Sequence, residues 1–195
     1  TALDGFGNLF VGLSILLAGW AITSGAEMSS ALGWYGVVAG AHGILCAKAP
    51  DSARMETMPG MFNRIVARLA RRLMARREAD VAIRAPYLYR WHVMPKNRFL
   101  NVYLHCYHAS DPGPELHDHP WHSLSYLIDG ELCEETPDGT VARRAGQFVF
   151  RRAARMHRVH LVSEHATTLF VTGPKFRAWG FMTARGWVPW QEYPG

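Results

Sequence analysis

Residues 116–126 read Leu116-His117-Asp118-His119-Pro120-Trp121-His122-Ser123-Leu124-Ser125-Tyr126. Run as a strand, this stretch places His117, His119, Trp121 and Ser123 on one face and turns Asp118 and His122 to the other, because successive side chains alternate. Further along, His157 opens a second strand whose other inward candidates are Val159 and Leu161. Three neutral imidazoles converging from two neighbouring strands make a facial set that leaves positions open for water or substrate. Such nitrogen donors suit one divalent metal ion, Fe(II), Zn, Ni or Cu and, less well, Mn. The alternative is a hydrogen-bonded histidine core without metal.

The surrounding sequence supplies a sheet for these histidines. Strand-like runs at 87–94, 99–108, 121–128, 131–136, 141–145, 147–151, 157–162, 167–172 and 176–182 follow one another with turn residues between them. Asp129-Gly130 and Asp138-Gly139 are tight hairpin signals. Regular short strands of this kind predict a small antiparallel sandwich or barrel, of which the jelly roll is one closure.

The spacing of the histidine stretch resembles the cupin superfamily. The first cupin motif runs HxH, three or four residues, Glu, six residues, Gly. Here His117-Asp118-His119 is followed by three residues, Ser123, six residues and Gly130. The second motif runs Gly, five residues, Pro-x-Gly, two residues, His, and the chain has Gly146, five residues, Arg152-Ala153-Ala154, two residues and His157. Every spacing holds, while Ser123 stands where the family's ligating Glu does, Arg152 and Ala154 replace the Pro and Gly of the turn, and Leu161 takes the final Asn position. Residues 86–195, with HDHPW, FRRA and TGPKFRAWGF, look like a group of small bacterial and phage cupins without an assigned activity. The resemblance implies a mainly β cupin jelly-roll barrel over 86–195 and a metal held by His117, His119 and His157. A three-His site is similar to that of thiol dioxygenases, which makes Fe(II) the favoured ion. Ser123 brings no carboxylate charge, so the metal would keep its full charge and favour an anionic, chelating substrate. Glu115, two residues before His117, is a substitute ligand candidate.

Two neighbouring groups are candidates for work on substrate. Tyr103, His105 and Tyr107 alternate on one strand face and could project into the barrel as hydrogen-bond donors or a proton shuttle. Lys175 and Arg177 share a face near the end of the chain, and Arg177 could hold a carboxylate or phosphate. An outer sheet face for the first group and a solvated basic edge for the second are the plainer alternatives.

The remaining sequence has a different character. In a chain of 195 residues with formal net charge +5, residues 1–47 carry only Asp4 and Glu27, and every Lys and Arg lies from Lys48 onward. The basic excess belongs to 48–98, while 99–195 is nearly balanced, so a high pI is no reason to assign nucleic-acid binding, and no nucleic-acid partner is expected. Cys46, Cys106 and Cys133 cannot all pair and have no CxxC spacing, which suits a main domain in a reducing compartment. Charge-free stretches at 5–26 and 28–47 are each long enough to span hydrocarbon as a helix, and Gly36 and Gly40 form a GxxxG step. They predict an α-helical transmembrane hairpin over 1–50. A signal peptide would need a basic leading region, and a soluble helical hairpin is the other alternative. His42, near the end of the second span, is placed for a headgroup-level or helix–helix hydrogen bond.

Residues 51–85 complete the division into three segments. Ile65, Leu69 and Leu73, with Phe62, Val66 and Met74 near the same stripe, stand opposite the arginines from Arg64 to Arg77, a basic amphipathic juxtamembrane helix suited to anionic lipid headgroups. The positive-inside rule then puts both termini and the cupin domain on the cytoplasmic side of a bacterial inner membrane crossed by two spans. Two functions follow. One is a membrane-anchored metal-binding cupin performing an Fe(II)/O2-dependent oxidation of a small anionic substrate. The other is a non-catalytic accessory subunit that docks in a larger membrane protein complex through residues 5–47, with the cupin capping its cytoplasmic face.

Overall fold

The computed structural model describes residues 60–194 and the backbone of a two-residue strand at 54–55. The expected hairpin over 1–50, with His42, lies outside the described residues. Among the described residues no helix is long and apolar enough to cross a membrane.

The elements in chain order are β1 (Arg54–Met55), α1 (Gly60–Arg76), β2 (Val81–Ile83), β3 (Leu88–His92), β4 (Asn101–Tyr107), β5 (Leu116–His117), β6 (Ser123–Asp129), β7 (Glu131–Thr136), β8 (Gly139–Arg144), β9 (Phe148–Arg151), β10 (Arg158–Leu161), β11 (Ala166–Thr172), β12 (Gly180–Thr183) and β13 (Gly186–Pro189). A seven-stranded sheet runs β1-β9-β6-β11-β4-β3-β2, and two three-stranded sheets run β10-β7-β8 and β13-β12-β5. The small sheets are linked by an antiparallel bridge between His117 and His157, whose backbone groups exchange both hydrogen bonds at 2.9 Å. The fold is therefore mainly β and jelly-roll-like, as expected of a cupin.

The large sheet has two unlike faces. Val102, Leu104, Cys106, Tyr126, Ile128, Phe148 and Leu169 form one apolar face together with Trp91. The residues alternating with them, among them Arg90, Tyr103, His105, Ser123, Ser125, Arg151 and Thr168, point to the other side. This is period-two alternation with both sets enclosed: Leu104, Tyr126 and Ile128 on the apolar face and His105, Ser123 and Thr168 on the polar one are each about 2 % exposed or less.

Helix α1 covers the apolar face. Val66, Ala67 and Ala70 are buried against the sheet, with Phe62, Leu73 and Met74 packed beside them. Each large apolar side chain so covered contributes about 1.5–3 kcal/mol. Tyr126 Oη donates to Asn63 Oδ1 at 2.9 Å, Phe62 meets the Tyr126 ring edge-on, and Trp91 Nε1 caps the carbonyl of Arg77 at 3.0 Å. The stripe expected to lie on lipid is thus largely spent on the protein's own sheet. Of that stripe Ile65 is exposed and Leu69 half-buried, and Met61, Arg64, Arg68, Arg71, Arg72 and Arg76 are exposed as well. The domain boundary expected at residue 86 is also crossed, because β1 and β2 are edge strands of the same large sheet.

The histidine stretch departs from a continuous strand. β5 ends at His117, and the chain leaves the ladder until Ser123, because Pro120 has no N–H to donate. Asp118 N still bonds Gly180 O at 3.0 Å and His119 N bonds Ala153 O at 2.9 Å, so the segment is anchored without being a strand. The run expected over 176–182 likewise becomes β12 only at Gly180, its first part lying along 120–122 through Phe176 N to Pro120 O at 3.0 Å.

Candidate metal centre

His117, His119 and His157 converge, with one ligand nitrogen from each lying within 4.8 Å of the others. His117 and His157 are fixed by the bridge between the small sheets, and His119 by the anchored loop. His119 Nε2 and His157 Nε2 are 3.3 Å apart. Two nitrogens each about 2.05 Å from a tetrahedral ion would be separated by about 3.3 Å, so the spacing fits shared coordination.

Protonation also fits. His157 Nδ1 faces the Arg155 carbonyl at 3.1 Å, and a carbonyl only accepts, so Nδ1 carries the proton and Nε2 presents its lone pair to the cluster. His117 Nδ1 faces Asp111 Oδ2 at 3.8 Å. All three imidazoles are held below the usual imidazole range, by burial above all and with the Arg151 charge adding to it; for His117, Asp111 and Asp118 pull the other way. Neutral imidazoles are the form a metal needs, and the donor set suits a divalent ion of the first transition row.

Asp118 organises the surroundings. It is buried, takes Gly180 N on Oδ1 at 2.7 Å, and takes Arg177 Nη1 and Trp187 Nε1 on Oδ2 at 2.6 and 3.2 Å. It thus ties the loop between two of the ligands to the β12–β13 hairpin. Gly180 is required there, since a Cβ would lie 2.1 Å from Val188 O. Alternation turned Asp118 away from the histidine face correctly, but its partners lie some 60 residues downstream, beyond any local signal. Asp111 was missed for the same reason: it takes Val159 N at 2.7 Å and the Tyr87 hydroxyl, and pushes the Tyr87 pKa up together with burial.

The other candidates fall into place around this cluster. Tyr103, His105 and Tyr107 face the barrel interior, not an outer surface. The His105 ring stacks on Phe170 at 4.9 Å, and Phe170 in turn reaches the His119 ring edge-on at 6.5 Å. Arg90 Nε donates to His105 Nε2 at 2.8 Å, and its guanidinium lies 4.6 Å over the Tyr103 ring. Burial first, then Arg90, holds His105 well below the usual imidazole pKa. Arg177, expected to hold an anion, directs Nη1 to Asp118, to His119 O at 3.2 Å and to Ala153 O at 3.4 Å. Glu115, the substitute ligand candidate, does not join the cluster; its carboxylate accepts from the Tyr193 hydroxyl instead. Lys175 is exposed beside Phe176, Trp179 and Trp190 in an open surface groove.

Aromatic rings close around the histidines. Trp121 stacks on His119 at 6.1 Å and 12°, Trp179 at 6.4 Å and 25°, and Trp190 stacks on Trp179 at 5.8 Å. Behind them Glu134 takes Arg151 Nε on one carboxylate oxygen at 2.5 Å and Arg143 on the other at 2.7 and 2.9 Å. No sequence signal singled out this buried triad.

Solved structures with a similar backbone cover about half of the chain. A provisionally named mannose-6-phosphate isomerase from Ralstonia eutropha JMP134 is 19 % identical, with 50 % of this chain and 94 % of that one aligned at a TM-score of 0.42. A protein with a double-stranded β-helix domain from Klebsiella pneumoniae is 20 % identical over 52 % of this chain and 84 % of its own, at 0.41. A cupin-2 domain protein from Shewanella frigidimarina is 13 % identical over 43 % and 78 %, at 0.37. No family model matches the sequence, and no curated protein matches it.

Proposed function

We propose that the chain is a metal-dependent cupin in which His117, His119 and His157 hold one divalent ion, Fe(II) by preference, for the oxidation of a small anionic molecule by O2. The observation that carries this reading is the cluster itself: three neutral imidazoles within 4.8 Å, His157 buried and His117 and His119 half-buried, one with its lone pair set by a backbone carbonyl. Bound there, a divalent ion supplies a Lewis acid with open positions, and iron adds the capacity to engage O2. In a dioxygenation both oxygen atoms enter the substrate, and no external reductant is consumed. The protein's share is to hold the imidazoles neutral, to exclude bulk water with Trp121, Trp179 and Phe170, and to offer hydrogen-bond donors from Tyr103 and His105.

The membrane setting belongs to the same proposal. The charge-free stretches 5–26 and 28–47 anchor the chain in the bacterial inner membrane, and the outward arginines of α1 rest on anionic headgroups on the cytoplasmic side. The buried stripe of α1 leaves this contact mainly electrostatic, with Met61 and Ile65 as its apolar part.

Elemental analysis of the purified chain beside a His119→Ala variant tests the centre. The expected result is about one equivalent of iron per polypeptide, lost in the variant, and oxygen uptake with small anionic substrates by the wild type alone. Neither protein taking up metal after anaerobic loading with Fe(II) would overturn the reading.

A further inference from the structure

The carboxylates around the histidine cluster are all engaged elsewhere. Glu134 is shared by two arginines, Asp118 serves Gly180, Arg177 and Trp187, Glu115 accepts from Tyr193, and Asp111 accepts from Val159 and Tyr87. Among the described residues none joins the three histidines as a ligand. A divalent ion on three neutral imidazoles would therefore sit in a centre to which no protein carboxylate contributes a ligand, Asp111 Oδ2 only facing His117 Nδ1 at 3.8 Å. Burying an uncompensated charge is costly, and the cost falls when a counter-anion enters with it.

Donors that could receive that anion stand next to the cluster. Ser123 is 1 % exposed, and its Oγ has no hydrogen-bond partner among the described residues. It follows Trp121, whose Nε1 is likewise buried and without a partner while its ring stacks on His119. Directly across the β6–β9 ladder from Ser123 stands Arg151, buried, its Nε donating to Glu134. Glu134 is shared between Arg151 and Arg143. A hydroxyl, an indole N–H and a guanidinium are donors that together suit a planar carboxylate.

We propose that a carboxylate supplied by the substrate completes this metal centre as its missing anionic ligand, received by Ser123 Oγ and Arg151. The inference rests on the metal reading above and narrows its substrate class to carboxylic acids. An external carboxylate supplies the anionic ligand that the serine does not, so metal and substrate bind with positive coupling. Arg151 orients the carboxylate and Ser123 donates to its free oxygen.

The test uses the full-length chain loaded with Co(II), whose visible absorption reports a change of ligands, titrated with sodium acetate against sodium chloride at matched ionic strength. The expected result is a saturable spectral change with acetate and none with chloride. Ser123→Ala should keep its cobalt while the half-saturating acetate concentration rises about tenfold, the effect of one charge-assisted hydrogen bond. Ser123→Glu, which installs the anion, should show the altered spectrum without acetate and no response to it. A wild-type cobalt site that ignores acetate, or answers chloride equally, overturns the proposal alone, as does an Ser123→Ala variant that titrates like wild type. A chain that takes up no cobalt overturns the metal reading and this proposal with it.

Discussion

At the scale of single residues, the chain separates groups that would hold a ligand from groups that hold those groups. Asp118 and Arg177 are of the second kind. Arg177 is about a third exposed, but its partner Asp118 is almost fully enclosed. Arg177→Ala therefore leaves a buried carboxylate with two of its three donors, at a cost of about 1–3 kcal/mol. The expected outcome is a lower urea midpoint and a roughly tenfold loss of Co(II) affinity in a chelator competition, with an unchanged acetate midpoint once cobalt is saturating. A raised acetate midpoint with unaltered cobalt affinity would instead make Arg177 the anion anchor that the sequence pattern suggested. That pattern put Lys175 and Arg177 on one strand face, and it had no means of showing that a buried aspartate had already claimed the guanidinium.

At the scale of elements, α1 has two faces with separate duties. Its inner side completes the core of the large sheet, and its outer side presents five arginines without an acidic residue in the first turn. Arg68→Gln combined with Arg72→Gln should leave thermal stability within about 0.5 kcal/mol, because both side chains are solvated. The headgroup contact is checked with the full chain in nanodiscs. Tryptic cleavage within α1 should be at least about fivefold slower in anionic than in zwitterionic lipid, the worth of about 1 kcal/mol per basic residue. The protection should vanish at about 0.5 M salt, where screening shortens the reach of surface charge to a few ångströms. Equal cleavage in both lipids would show that the arginine face rests on nothing. Amphipathic spacing identified this helix, and the same spacing is blind to whether the apolar side faces a bilayer or a neighbouring sheet.

At the scale of the whole molecule, the barrel interior is a store of buried charge and neutral bases with a definite pH response. His105, His117, His119 and His157 all have imidazole pKa values depressed mainly by burial. A base whose folded pKa lies below its unfolded one gives stability that is complete above the unfolded value, and loses it as pH falls from about 6.5 toward the folded value. Glu134 behaves in the same direction in a more acid window: burial raises its pKa, but Arg151 and Arg143 outweigh that and hold it below the usual carboxylate range. The metal-free chain should therefore lose stability in two stages on acidification, the first beginning near pH 6.5 and the second only well into the acid range. Urea midpoints taken from pH 8 down to about pH 2.5 check this, and a flat profile between pH 7 and 5.5 would contradict the neutral state of the histidines.

The local sequence determined what depends on short spacing. Period-two alternation and Asp-Gly turns carried the antiparallel β domain, the HxH pair with His157 carried the ligand set, and the 3.6-residue stripe carried α1. Apart from His157, which lies 38 residues beyond His119, each of these is written in residues close together in the chain, where backbone geometry alone decides which side chains share a face. Tertiary structure decided what depends on partners far apart. The capture of Asp118 by Gly180 and Arg177, the pairing of Glu134 with two arginines and the burial of Ser123 with its hydroxyl unspent all join residues from separate strands. Their physical reason is desolvation: only when the sheets close does a polar group lose water and become bound to whichever donor or acceptor the fold brings to it.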